Sequence, residues 1–108
     1  MGNVWQLADV QASEGGDYAE FLRRPSMSAG VYRLGAGAAD PQRPHREDEV
    51  YVVLSGQGKL RHGDTVDEVG PGSIAFVPAG EMHRFEDITE DLEILVVFAP
   101  AETDPAGD

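Results

Sequence analysis

The sequence predicts an all-β sandwich or barrel. Short runs rich in β-branched and aromatic residues recur along it, and glycine- or proline-bearing turns separate them at regular intervals. Helical periodicity is confined to the N-terminal stretch. Residues 1–24 read as a lead-in in which Val4, Leu7, Ala8 and Val10 suit one turn of amphipathic helix. Asp17 is placed to cap a second turn through Tyr18, Phe21 and Leu22, with a break at Glu14-Gly15-Gly16. Pro25 ends this region.

The strands then follow in order. Met27 to Leu34 carries Val31 and Tyr32, and a loop from Gly35 to Pro41 closes it. Glu49 to Leu54 is the clearest strand. Ser55-Gly56-Gln57-Gly58 reads as a turn into Lys59 to His62, and Gly63-Asp64 as a hairpin turn into Thr65 to Val69. Gly70-Pro71-Gly72 precedes Ile74 to Val77, and Pro78-Ala79-Gly80 precedes His83 to Glu86. Leu92 to Ala99 closes the set. A barrel over residues 25–100 is expected, followed by a disordered acidic tail over 101–108.

Composition narrows the function. At 108 residues the chain makes one domain, and one this short buries only about two-thirds of its unfolded surface, so a homodimer is expected. The outer faces of Val50, Val52 and Leu54 and of Ile94, Val96 and Phe98 are the expected contact. Twenty acidic residues stand against eight basic ones, a formal charge of −12 that repels nucleic acid and anionic lipid. The acidic positions Glu86-Asp87 and Glu90-Asp91-Glu93 read as solvated loops. No run approaches the roughly 20 apolar residues of a membrane span, and the first residues carry no secretory pattern, so a cytoplasmic protein is expected. With no cysteine, any metal site must draw on His, Asp, Glu or water.

Side chains alternate along a strand, so Arg43, His45, Glu47, Glu49 and Tyr51 share one face if no bulge intervenes. His83, held at the mouth of the Pro-Ala-Gly turn, would join them from another strand. Two imidazoles and one carboxylate suit a first-row divalent metal and leave positions open for a ligand. Arg43 cannot ligate, because its guanidinium stays protonated. Glu47 or Gln42 is then the candidate for a fourth position. Arg43 suits pairing with Glu47 more than anchoring a substrate carboxylate. Tyr51 and Phe85 read first as barrel filling, with Glu47 and Tyr51 the candidates for acid–base work. His62, in its hairpin turn, has no partners and reads as exposed.

Two stretches carry a family resemblance. The first runs Gly37-(x5)-Arg43-Pro44-His45-Arg46-Glu47-Asp48-Glu49-(x6)-Gly56; the second runs Gly72-(x5)-Pro78-Ala79-Gly80-(x2)-His83-(x3)-Asp87. Together they resemble the paired motifs of the cupin superfamily, with two departures. Arg43 stands where the family has a first histidine, and Asp87 where it has a closing asparagine. The resemblance implies a double-stranded β-helix, a jelly-roll-like barrel, in a small single-domain bacterial chain. It implies a divalent metal (Fe, Mn, Ni or Zn) at His45, Glu49 and His83. It also implies a small-molecule substrate or ligand, with dioxygenase, isomerase, epimerase and lyase chemistries all represented among cupins of this size. A non-catalytic cupin that binds or senses a small ligand is the alternative.

Overall fold

The computed structural model describes residues 2–11, 17–40 and 44–103. The break expected at Glu14 to Gly16, the candidates Gln42 and Arg43, and residues 104–108 of the expected tail lie outside these. Six antiparallel strands form the molecule: β1 (Tyr18–Arg24), β2 (Met27–Leu34), β3 (Asp48–His62), β4 (Thr65–Val69), β5 (Ile74–Val77) and β6 (His83–Ala99). Their order is β1-β2-β6-β3-β4, with β5 pairing β3 from the side. A single 3-10 turn over Leu7–Asp9 is the helical content of the described residues.

β3 and β6 make the barrel. They pair along almost their whole lengths, from Asp48↔Ala99 through Val53↔Ile94 and again from Lys59↔Glu86 to His62↔His83. Register shifts lie between Val53 and Ser55, Ser55 and Gln57, and Gln57 and Lys59. Bulges increase strand twist and bend the ladder, which lets one long pair wrap around a core. Ser55 to Gly58 is therefore a bulged bend inside one strand and not the hairpin turn expected. Likewise His83 to Glu86 and Leu92 to Ala99 are two ends of a single strand. The acids between them, expected in loops, belong to β6, where Glu86 pairs with Arg61 and Glu93 with Arg33. Gly56 sits at the bend with φ 97°, where a Cβ would strike the carbonyl of Asp91. Only glycine satisfies both demands.

One expected helix is a strand. Tyr18, Phe21 and Leu22 lie in β1, which pairs with β2 and carries a bulge between Glu20 and Leu22. The bulge breaks the two-residue alternation, so the apolar positions fall at the spacing of a helix turn. Tyr18 folds over Gly30 on the barrel's inner side; a Cβ at position 30 would overlap the Tyr18 ring. The first strand thus belongs to the sheet, although its residues were expected in the lead-in.

The core gathers the inner faces: Tyr32 and Leu34 from β2, Tyr51, Val53 and Leu60 from β3, Val77 from β5, and Phe85, Ile88, Leu92, Ile94, Val96 and Phe98 from β6. Ile94, Val96 and Phe98 point inward, contrary to the expected outer face. Leu95 and Val97 take the outer positions. A run apolar at every residue carries no alternation from which its faces can be read. Outside, Val50 lies between Phe76 and Val97, and Val52 between Ile74 and Leu95. Ile74 is 74% and Phe76 59% exposed.

Candidate metal centre

Glu49 reaches the interior because β3 alternates. Glu49, Tyr51 and Val53 are buried, while Asp48 is exposed and Val50 and Val52 lie between. His45 precedes the strand, and a second segment places it. The turn after β5 donates from Gly80 N–H to the His45 carbonyl at 2.8 Å and from Ala79 N–H to Asp48 Oδ1 at 2.9 Å. The Pro-Ala-Gly turn is thereby fastened to the entry of β3. Gly80 adopts φ 84°, which only glycine takes without strain. His83 opens β6 three residues later and turns inward.

The structure brings together the three expected ligands. One donor atom from each of His45, Glu49 and His83 lies within 4.8 Å of the others. The two imidazole rings are 5.3 Å apart between centroids, and Phe98 stands edge-on to His45 at 5.1 Å. Tyr51 packs between His83 and Phe85, at 6.0 and 5.0 Å. Asp40 accepts from the Tyr32 hydroxyl at 2.6 Å and from Phe85 N–H at 2.8 Å, which ties the loop at the start of the first motif to the core.

Hydrogen bonding sets the chemistry. His83 Nδ1 lies 2.9 Å from the Glu81 carbonyl oxygen, which can only accept, so Nδ1 carries the proton. In the neutral ring Nε2 then presents a lone pair, and it faces Glu49 Oε1 at 3.3 Å. Neither Glu49 oxygen receives a well-formed hydrogen bond among the described residues. Two acceptors this close, both shut away from water, call for a proton or a cation between them. Burial pushes the Glu49 carboxyl up to about 8; the Tyr51 hydroxyl opposes this, and the charges of Glu102, Asp40 and Glu47 add to it. Burial lowers His45, as does the nearby His83, against the raising effect of Glu47 and Asp40. A neutral His45 is the form that ligates.

The other expected residues fall elsewhere. Glu47 is buried but stands outside the three-donor group. Its Oε2 accepts from Thr103 Oγ1 at 2.7 Å and from Thr103 N–H at 3.2 Å. The chain bends at residues 46–47, before β3 begins, so the alternation that would put Glu47 beside Glu49 does not extend to it. His62, expected without partners, pairs with Asp67 at 2.7 Å. Two residues next to the centre were not anticipated. Tyr18 points its hydroxyl inward, buried and without a hydrogen-bond partner among the described residues. Glu102, expected in a solvated tail, is 6% exposed and places Oε2 3.5 Å from His45 Nδ1.

Residues 30–98 match the family profile described as a cupin domain. An uncharacterized protein of Streptomyces coelicolor is 46% identical over 98 residues, covering 91% of this chain and 93% of that one. The cupin domain of Schizosaccharomyces pombe Cnp3 superposes with a TM-score of 0.81 at 21% identity, covering 91% of this chain and 74% of the other. KdgF from Halomonas sp. superposes with a TM-score of 0.81 at 20% identity, covering 97% and 99%. A bulged β3–β6 pair closing a barrel around two histidines and a glutamate, and a family match over most of the strands, lead to one conclusion: the chain belongs to the cupin family.

Proposed function

We propose that this cupin is a metal-dependent enzyme that binds a small organic molecule in its barrel, with a divalent metal held by His45, Glu49 and His83. The observation that carries the reading is the buried facing pair, His83 Nε2 and Glu49 Oε1 at 3.3 Å, which needs a proton or a cation between its two atoms. Iron, manganese, nickel and zinc all suit two imidazoles and a carboxylate. When bound, such a metal supplies a Lewis acid and, for iron or manganese, a redox centre.

The chain's own groups do the rest. Glu81 holds His83 in the ligating tautomer. Tyr18, Phe98, Tyr51 and Phe85 wall the site with aromatic surface that excludes water. Burial and the charge of Glu102 raise the Tyr18 phenol, so it keeps its proton and acts as a hydrogen-bond donor to a bound oxygen atom, not as a base. The Tyr51 hydroxyl favours the ionised Glu49 and is the acid–base candidate nearest the ligands. Glu47, engaged by Thr103, serves this reading less directly. The test is metal analysis of untagged protein, followed by dioxygen-uptake and small-substrate turnover assays on protein reconstituted with each metal. Near-stoichiometric metal with turnover supports the enzyme. Metal with tight ligand binding and no turnover would make the protein a binding or sensing cupin, and failure to take up any metal would remove the centre.

We also propose a cytoplasmic homodimer formed through the outer face of Ile74, Phe76, Val50, Val52, Leu95 and Val97. These side chains lie in adjacent cross-strand rows and expose a contiguous apolar surface. Light scattering on a sizing column should give twice the chain mass for the wild type and the single-chain mass for Phe76→Glu. A wild type that stays monomeric at tens of micromolar would dismiss this interface.

A further inference from the structure

The chain does not leave the barrel when β6 ends at Ala99. Ala101 and Glu102 are buried, at 8% and 6% exposure. Glu102 N–H donates to the Ser28 hydroxyl at 2.9 Å, and Ser28 is itself wholly buried on β2. The Glu102 carbonyl accepts from Arg23 Nη2 of β1 at 2.7 Å. One residue later, Thr103 bonds Glu47 through both its hydroxyl and its N–H. The backbone at position 102 is thus held by β1, by β2 and by the segment that enters β3. A solvated acidic tail would make none of these contacts. Burying a carboxylate costs free energy unless a partner answers it.

Among the described residues His45 faces it, with Nδ1 3.5 Å from Glu102 Oε2. The distance is long for a hydrogen bond but close enough for the carboxylate's charge to act on the ring. A carboxylate there still selects between the two imidazole tautomers, because it favours a proton on the nitrogen that faces it. We propose that Glu102 is a positioning residue: its carboxylate keeps the proton on His45 Nδ1 and leaves the Nε2 lone pair for the metal centre. The two ligating histidines are then prepared in the same way. His83 Nδ1 faces the Glu81 carbonyl at hydrogen-bond distance, and His45 Nδ1 faces the Glu102 carboxylate at 3.5 Å. An outer oxygen that fixes the tautomer and ring orientation of a ligating histidine raises its basicity as a ligand. The segment after the last strand is therefore part of the site, and Thr103 and Arg23 serve by holding it there.

The proposal rests on the metal reading of His45, Glu49 and His83, and its test separates the two. Histidine-labelled, metal-free protein is compared as wild type, Glu102→Ala and Glu102→Gln by long-range proton–nitrogen correlation, with zinc affinity measured against a chelating dye. The wild type should show His45 protonated at Nδ1. Glu102→Ala should lose that preference and bind zinc roughly 10- to 100-fold more weakly. Glu102→Gln, whose amide oxygen can still accept the proton, should keep the tautomer and recover most of the affinity. An alanine variant with unchanged tautomer and affinity would overturn the proposal. So would a variant that keeps the His45 tautomer yet binds zinc as weakly as the alanine variant, since the weakening would then not run through the tautomer. If the wild type takes up none of zinc, iron, manganese and nickel, the metal reading fails, while the tautomers of the metal-free proteins still decide the role of Glu102.

Discussion

If His45, Glu49 and His83 hold a metal as proposed, replacing His83 by alanine should take the metal content from near one per chain to less than about a tenth under the same purification. Three protein ligands leave no redundancy, and His83 supplies the one imidazole whose tautomer a backbone carbonyl holds. The His83 side chain has no solvent exposure, so water cannot readily take its place. Loss of binding should therefore be near complete, and dialysis with excess metal should not restore it. His62→Ala provides the control. It removes an imidazole that stands opposite His83 in the β3–β6 ladder but pairs with Asp67 and lies outside the three-donor group, so metal content should stay at the wild-type level. Equal retention of metal by His83→Ala and wild type, with both folded, would show that the ligands lie elsewhere.

Glu49 will cost the metal-free protein stability as the pH rises from about 5 to 8, opposed below about 6.5 by His45, whose lowered native value acts with the opposite sign. The sign follows from Glu49. In the unfolded chain its carboxyl titrates near 4.5, whereas burial in the native barrel raises it to about 8. Between those values the folded state holds a proton that the unfolded state has released, so folding takes one up. The stabilising effect is fully present below the ordinary carboxylate range and is lost as pH rises through the native value. The change should be on the order of 3 kcal/mol. In a chain of this size that lowers the melting temperature by about 10 °C or more. Glu49→Gln, which cannot ionise, should flatten the dependence. A bound divalent metal should oppose it, because a cation replaces the proton between Glu49 and His83 and favours the ionised carboxylate. Thermal melts across this range, with and without zinc, read all three effects. A wild-type profile as flat as that of Glu49→Gln would show that Glu49 is already ionised in the metal-free barrel.

How much of this was legible beforehand depends on the range over which each signal acts. Strands β2, β4 and β5 follow from β-branched runs bounded by glycine and proline, since turn chemistry is a property of two or three adjacent residues. The bend at Gly56 and the turn at Gly80 are marked in the same way: their positive φ angles select glycine wherever the rest of the chain goes. His45, Glu49 and His83 were readable because each stands beside such a marker, at a spacing that resembles a family pattern.

Other features were set by pairing between distant segments. The bulge at Glu20 to Leu22 gave β1 the apolar spacing of a helix, and only its register against β2 makes it a strand. The uninterrupted apolar run of β6 could face either way until its partners β2 and β3 directed Ile94, Val96 and Phe98 inward. Glu47 looked like a companion to Glu49 by alternation, yet a bend before β3 hands it to Thr103. Glu102 reads locally as one more acid in an acidic tail; Ser28, Arg23 and His45, none of them near it in sequence, make it a buried part of the site. The sequence by itself determined the turns at Gly63, Gly72 and Gly80, the family and the grouping of His45, Glu49 and His83, because local backbone preference and short motifs encode them. The tertiary structure alone decided which acid stands beside His45, because the free energy of a buried carboxylate depends on the groups that surround it and not on its neighbours in the chain.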